Sequence, residues 1–302
     1  MGDVSSENLG IKDVTMREKM LEEIDIVLHS AACTKFDERA KEHGWPNTYV
    51  FTKAMGEMLV GHMKENLPVI ILRPTIVTST YKEPFPGWIE GARTIDSFAN
   101  AYGRRNLTCF PGDIKTVLDV MPADMVVNEM IVAMVATSNC QCYDNIYHVG
   151  SSVRNPVRYE NLRDYMYRYL TEKPWEDKDG KSIKVGSMSI LDMAGFQRCM
   201  FIRFLLPTKV LKLLNTIFCK YFQKMYIEFN RKIQIVMRLA DLYKPYLFFR
   251  GAFDDVNMEK LRMTARHGGV DEDLFSFDPK MIEWEDYFMN IHFPGTVKFI
   301  FK

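Results

Sequence analysis

Tyr49 and Lys53, in the run Tyr49-Val50-Phe51-Thr52-Lys53, are spaced to protonate a carbonyl oxygen. Residues at i and i+4 of a helix share one face, with their Cβ atoms about 5–6 Å apart. A free phenol titrates near pH ~10, and a cation at that distance in a partly buried site lowers this by roughly one to three units. Such a tyrosine donates a proton to a carbonyl oxygen while a hydride reaches the carbon. Lys53 is also placed to hydrogen-bond a cofactor ribose. A second pair with the same spacing, Tyr169 and Lys173, leads through Pro174-Trp175 into a polar stretch with no strand behind it. That pair is expected to be a solvated helix face.

The elements that must position Tyr49 and Lys53 are legible around them. The helical run Tyr49 to Asn66 ends at Leu67-Pro68, and the apolar strand Val69-Ile70-Ile71-Leu72 follows, closed by Arg73-Pro74. Upstream, Glu18 to Glu23 is helix-prone. Ile24 to Leu28 then reads as a short buried strand ending in the small residues Ser30, Ala31 and Ala32, which suit close approach by a ligand. A third strand, Ile146 to Val149, ends at Gly150. Strands alternating with helices predict an α/β fold with a parallel sheet. Between the second and third strands lie the aromatic, proline-rich loop Thr78 to Gly91 and the helix Ala123 to Ala136. Ligands of open α/β sheets sit outside the carboxyl ends of the strands, so this loop is placed to cover a site.

After Gly150 the alternation stops. Asn161 to Leu170 and Met200 to Leu247 read as helices, and Trp175 to Gly186 is a polar break suited to a linker. The expected organisation is an incomplete Rossmann-like parallel-sheet domain over residues 1–175 and a mainly helical C-terminal domain over 187–302. The most apolar stretch, Met200 to Phe222, carries Arg203, Lys209, Lys212 and Lys220 and is interrupted by Pro207. It makes a poor spanning helix. Its helical spacing of apolar residues either buries one face against the domain, the simpler expectation, or rests on a membrane surface.

Composition narrows the function classes. Over 302 residues, 47% are apolar and 26% charged, with 39 basic residues balancing 39 acidic ones. A sizeable core is expected, and no positive field of the kind that drives nucleic-acid binding. Six cysteines without a C-x-x-C pair fit reduced thiols in a cytosol-facing compartment. Cys140, Cys142 and His148 fall short of the four well-spaced ligands of a structural zinc site, so no metal is expected. Met1-Gly2 with Ser6 fits the loose myristoylation pattern, but an ordinary loop is the expected reading.

Asn47-Thr48-Tyr49-Val50-Phe51-Thr52-Lys53, followed by Leu72-Arg73-Pro74-Thr75-Ile76-Val77, resembles the extended short-chain dehydrogenase/reductase superfamily. The segment Ser79 to Gly91 looks like the fatty acyl-coenzyme A reductases of the plant male-sterility type. So do Gly2-Asp3-Val4, Ser30-Ala31-Ala32 before Phe36-Asp37-Glu38-Arg39, Val120-Met121-Pro122-Ala123-Asp124, Leu242 to Tyr246 and Trp284 to Phe288. The resemblance implies NADPH-dependent reduction of a long-chain acyl-coenzyme A to a primary alcohol through an aldehyde. It implies Tyr49 as proton donor and Lys53 on the ribose. Asp3 and Val4 would lie near the adenine, Ser30, Ala31 and Ala32 along the cofactor, and Pro74, Thr75 and Ile76 beside the nicotinamide. It also implies work at the endoplasmic reticulum membrane or in a plastid, with peripheral membrane contact as a further expectation; self-association is expected because a sheet lacking strands exposes apolar edges.

Two departures from the family pattern stand out. No G-x-x-G-x-x-G loop occurs in the 302 residues, and Phe36-Asp37-Glu38-Arg39 runs directly into Ala40-Lys41-Glu42-His43-Gly44-Trp45-Pro46. The family has at that join a central strand and a serine or threonine that binds the substrate carbonyl; Ser30 and Thr34 are the available substitutes. The expectation is a shortened family member with weak dinucleotide binding and little activity alone. The alternatives are a reductase completed by another subunit and a non-catalytic acyl-coenzyme A or partner-binding protein. A sugar-nucleotide epimerase is disfavoured by the Tyr81 to Gly91 segment.

Overall fold

Asp13 opens the first helix: its carboxylate accepts the Met16 N–H at 3.2 Å and starts α1, Val14–Glu23. This computed structural model describes residues 11–29, 44–45, 47–65, 67–138, 145–176 and 179–300. They divide into two units, Met1–Met63 and Lys64–Lys302. In the first unit, residues 24–29 take no regular structure, and Val27 is 82% exposed. The strand expected over Ile24 to Leu28 is therefore not formed. An apolar run becomes a strand only where a neighbouring strand takes its N–H and C=O groups, and none pairs with it among the described residues. The second helix of the unit, α2, spans Thr48–Met63.

The second unit begins with the expected strand, β1 (Ile70–Pro74), and continues through β2 (Ile76–Thr78), α3 (Thr94–Gly103), β3 (Cys109–Pro111), β4 (Val117–Leu118), β5 (Val120–Pro122) and α4 (Ala123–Ser138). It proceeds through β6 (Asn145–Val149), β7 (Val157–Arg158), α5 (Tyr159–Glu172) and β8 (Ser189–Leu191). The strands pair two by two. β1 lies parallel to β6 from Ile70↔Asn145 to Pro74↔Val149, and β2 parallel to β5 with Val77 opposite Met121. β3 and β8 are parallel and β4 and β7 antiparallel. Parallel partners separated by helices are the α/β arrangement that the sequence order predicts. Helix α4 packs on β1 and α9 (Val256–His267) on β6. β8 escapes prediction because three residues carry too little periodicity, yet it joins a strand beyond the 175–186 break to one before it.

The C-terminal helices are interrupted twice in the same way. Between α6 (Met193–Met200) and α7 (Leu206–Ile217) lies a π-turn, Phe201–Leu205, just before Pro207. Between α10 (Trp284–Asp286) and α11 (Phe293–Phe299) lies another, Tyr287–His292, just before Pro294. A proline lacks the N–H that would bond four residues back, and its ring strikes that carbonyl; widening the preceding turn relieves both. Helix α8 (Gln223–Leu247) carries Pro245 near its end.

A smaller cluster of Cys109, Phe196, Met200, Ile233 and Ala240 packs α6 and α8 on β3, and a separate, larger core reaches from Ile95 to Phe293. Val120, Met121 and Val149 are fully buried in it, together with Tyr287 and Phe288 from the far end of the chain. Tyr169 is 5% exposed, its ring tilted 46° against Phe293 with centroids 5.3 Å apart and the Lys173 ammonium 5.4 Å from its centre. The solvated helix face expected for this pair is corrected: Tyr169 is a core residue, and burial pushes its phenol above the ordinary tyrosine range.

Candidate active site

Tyr49 and Lys53 stand on the first two turns of α2, whose start is built to hold them. Asn47 is fully buried and its side-chain oxygen accepts the Val50 N–H at 2.9 Å, while its carbonyl accepts the Phe51 N–H at 3.2 Å. That is an N-cap satisfying the orphan donors of the first turn. Trp45 meets Phe51 edge to face at 5.6 Å across the cap, fixing the entry of the chain. The Thr52 hydroxyl donates to the Tyr49 carbonyl at 3.1 Å. Tyr49 is half-buried and Lys53 exposed, so the phenol sits in a shielded setting with a cation on its own helix face. The expected pair is thus helical and capped.

The expected nicotinamide-side residues lie in the other unit, where β1 hands over to β2. The Thr75 N–H donates to the Val149 carbonyl at 3.0 Å and the Ile76 N–H to the Asp119 carbonyl at 3.2 Å. Pro74 is exposed; Thr75 and Ile76 are half-buried. Gly150 follows β6 at the same level. A Cβ there would stand 2.7 Å from the Asp119 carboxylate and 3.0 Å from the Thr75 methyl, so glycine alone lets these strand ends close. The Asp119 carboxylate accepts the Ser151 N–H at 2.7 Å. The Thr75 hydroxyl and the second Asp119 oxygen are buried without a hydrogen-bond partner among the described residues. An orphaned hydroxyl at the carboxyl ends of parallel strands fits the uncharged, amide-bearing end of a dinucleotide. The adjoining carboxylate does not fit a pyrophosphate, which it repels. Asp3, Val4, Ser30, Ala31, Ala32, Thr34, Cys140 and Cys142 lie outside the described residues.

The loop Thr78 to Gly91 is held from both sides. Asp124, at the start of α4, gathers three consecutive backbone donors: Tyr81 N at 2.7 Å, Lys82 N at 2.6 Å and Glu83 N at 3.1 Å. The Thr80 and Trp88 backbones close the loop on itself, with N–H to O distances of 3.0 and 2.9 Å for Thr80 to Trp88 and Gly87 to Thr80. Gly87 adopts φ +76°, and a Cβ on it would meet the Ile291 carbonyl at 2.5 Å. Gly295 on α11 faces it so closely that its own Cβ would strike the Gly87 carbonyl.

Sequence reasoning missed the polar network beneath this loop. The Ser79 hydroxyl lies 2.9 Å from His292 Nδ1 and 3.2 Å from the Tyr287 hydroxyl, which donates to the Ser79 carbonyl at 2.7 Å. The Thr78 hydroxyl sits 2.7 Å from the same phenol. His292 Nε2 is 3.3 Å from Asp96, close enough for an ion pair though off the line of a hydrogen bond. Ser79, His292 and Asp96 are 0%, 0% and 3% exposed. The trio has the residue types of a hydrolase triad, but no substrate reaches a fully buried serine, so it ties the loop to the C-terminal helix. The only signal in the sequence is polar residues inside the segments Ser79 to Gly91 and Trp284 to His292.

Models of male sterility proteins match this chain at both ends, one over residues 1–43 and 37–130 and another over 203–302. The first matches in two pieces that overlap over residues 37–43, across the Arg39–Ala40 join. The chain is 46% identical to "Alcohol-forming fatty acyl-CoA reductase" of Simmondsia chinensis, over 99% of its own length and 63% of the relative's. It is 49% identical to "Probable fatty acyl-CoA reductase 4" of Arabidopsis thaliana, over 87% of its length and 54% of the relative's. The chain thus spans roughly three-fifths of the length of these relatives. Among solved structures, the terminal R domain of the myxalamid PKS-NRPS biosynthetic pathway aligns with TM-score 0.54 at 14% identity, covering 99% of this chain and 74% of that one. That likeness shows a shared fold.

Proposed function

Because the chain belongs to the male sterility protein family, we propose that it acts as an NADPH-dependent reductase taking long-chain acyl-coenzyme A to the primary alcohol through the aldehyde. The observation that carries this reading is the capped helix α2 presenting Tyr49 and Lys53 on one face. In this reading Tyr49 donates its phenolic proton to the substrate carbonyl oxygen as negative charge develops there. The Lys53 ammonium stabilises the phenolate left behind and orients the ribose. Thr75 offers its unpartnered hydroxyl to the amide end of the dinucleotide, with Pro74 and Ile76 on either side. NADPH, when bound, supplies the hydride. Self-association, the assignment of Asp3, Val4, Ser30, Ala31 and Ala32 to the cofactor, and the division at 175–187 belong to the same proposal. So does peripheral contact with the cytosolic face of the endoplasmic reticulum.

A second reading is a non-catalytic acyl-coenzyme A binder that uses the aromatic loop Thr78 to Gly91, which Asp124 holds through three backbone N–H groups without any dinucleotide. The test is incubation of the purified chain with NADPH and a long-chain acyl-coenzyme A, with alcohol measured by gas chromatography. Alcohol formation, lowered about 10²–10⁴-fold in Tyr49→Phe, is the expected result. Calorimetric binding of acyl-coenzyme A without any alcohol selects the second reading, and no binding overturns both.

A further inference from the structure

Helix α7 is inside out. Its polar residues Thr208 and Asn215 are 7% and 5% exposed, while Leu206, Val210, Leu213 and Ile217 are 46%, 50%, 62% and 63% exposed. The spacing of four, three and four residues puts those four on one stripe, and Thr208 and Asn215 on the opposite side. The Thr208 hydroxyl donates to the Phe204 carbonyl one turn back at 2.7 Å, and the Asn215 amide nitrogen donates to the Gln223 side-chain oxygen at 2.6 Å, while Asn215 Oδ1 has no hydrogen-bond partner among the described residues. The Asn215–Gln223 bond ties α7 to the start of α8, and the apolar stripe faces outward. The burial of this face expected from the sequence is corrected. At the tip of the α7–α8 hairpin, Phe218 is 56% and Tyr221 82% exposed, flanking Lys220.

Charge says what this face meets. From Arg198 to Arg238 the chain carries nine lysines and arginines against the single carboxylate of Glu228, in a protein whose total charge is zero. Lys209 and Lys212 lie together along one side of the apolar stripe, and Lys209 stands 5.3 Å over the Phe201 ring. Two copies of so basic a surface repel each other, and a buried protein partner would leave these ammonium groups to be desolvated. A lipid surface takes both parts of the pattern: acyl chains receive the stripe, anionic headgroups receive the lysines, and Phe218 and Tyr221 sit at headgroup depth. No helix among the described residues is long and apolar enough to cross a membrane, so the contact is one of lying on the surface. We propose that the α7–α8 hairpin docks this protein onto membranes rich in anionic lipid. This deepens the peripheral-membrane part of the functional reading and is independent of catalysis.

The test is co-sedimentation of the full chain, without NADPH or acyl-coenzyme A, with vesicles of phosphatidylcholine alone or containing about a quarter phosphatidylserine. Binding to the anionic vesicles, released by raised salt, is expected. The Leu213→Glu/Ile217→Glu variant should bind at least about tenfold more weakly while keeping its circular dichroism spectrum. Lys212→Glu/Lys220→Glu should lose the preference for anionic lipid. Failure of the unaltered chain to bind, equal binding to both vesicle types, or binding unmoved by the Leu213/Ile217 change overturns the proposal. So does a concentration-dependent dimer that the same change dissolves, since the face would then be an interface between copies. None of these failures touches the reductase reading, which alcohol formation decides.

Discussion

Glu129 shows what a single buried group does to this protein. It lies on α4, 1% exposed, with one carboxylate oxygen lacking a partner among the described residues. Burial holds its carboxyl well above the ordinary glutamate range, an effect that the nearby Arg262 guanidinium only partly offsets. Arg262 is itself committed to Asp255 at 2.9 Å and Glu259 at 3.0 Å. A carboxyl that is easier to protonate folded than unfolded contributes stability below its unfolded value, and that contribution is lost as pH rises towards the folded value. Glu129→Gln should therefore raise Tm at pH 8 by roughly 2–4 °C per kcal/mol recovered, and flatten the fall in Tm between pH 5 and pH 8. A thermal scan across pH checks this; an unchanged pH dependence would sink it. Gly295 is the steric counterpart. Gly295→Ala drives a methyl into the Gly87 carbonyl and should cost about 1–3 kcal/mol in a denaturant titration.

At the scale of elements, the cap of α2 carries a measurable share of the candidate site. Asn47→Ala removes the acceptor for Val50 N–H and should destabilise the helix by about 0.5–2 kcal/mol, read as faster amide exchange in the first turn of α2. Helices were the legible part of the sequence: α2, α4, α5 and α8 follow from long periodic runs with stop signals such as Leu67-Pro68. Strands were legible only where a mainly apolar run of four residues ended at a turn signal, as in Val69 to Leu72 before Arg73-Pro74 and Ile146 to Val149 before Gly150. β3, β4, β5, β7 and β8 have two or three residues each, too few to show a period of two, and are set by the partner each one finds. Ile24 to Leu28 had the composition of a strand and lacked the partner. The Tyr49/Lys53 pair was readable from spacing because i,i+4 geometry is local. The Ser79–His292–Asp96 tie was not, because it links residues separated by 213 positions at its longest bond, and no local rule spans that distance.

For the whole molecule, the shared core governs behaviour. Tyr287 and Phe288, both fully buried, pack with Val120 and Met121, so the elements of this larger core should unfold in one thermal transition. A fragment 187–302 expressed alone should bind a dye for exposed apolar surface, as should one ending at 186. Phe288→Ala should cost about 3–5 kcal/mol and lower both the near-ultraviolet signal and any loop-dependent activity together. The place where Gly87 and Gly295 touch backbone to backbone gives this a consequence for inheritance. The last helix is a keystone for the aromatic loop near the start of the unit, and a transcript stopping before Trp284 would remove the loop's floor along with the tail. The cell's quality control would meet that product as an unfolded chain to be degraded.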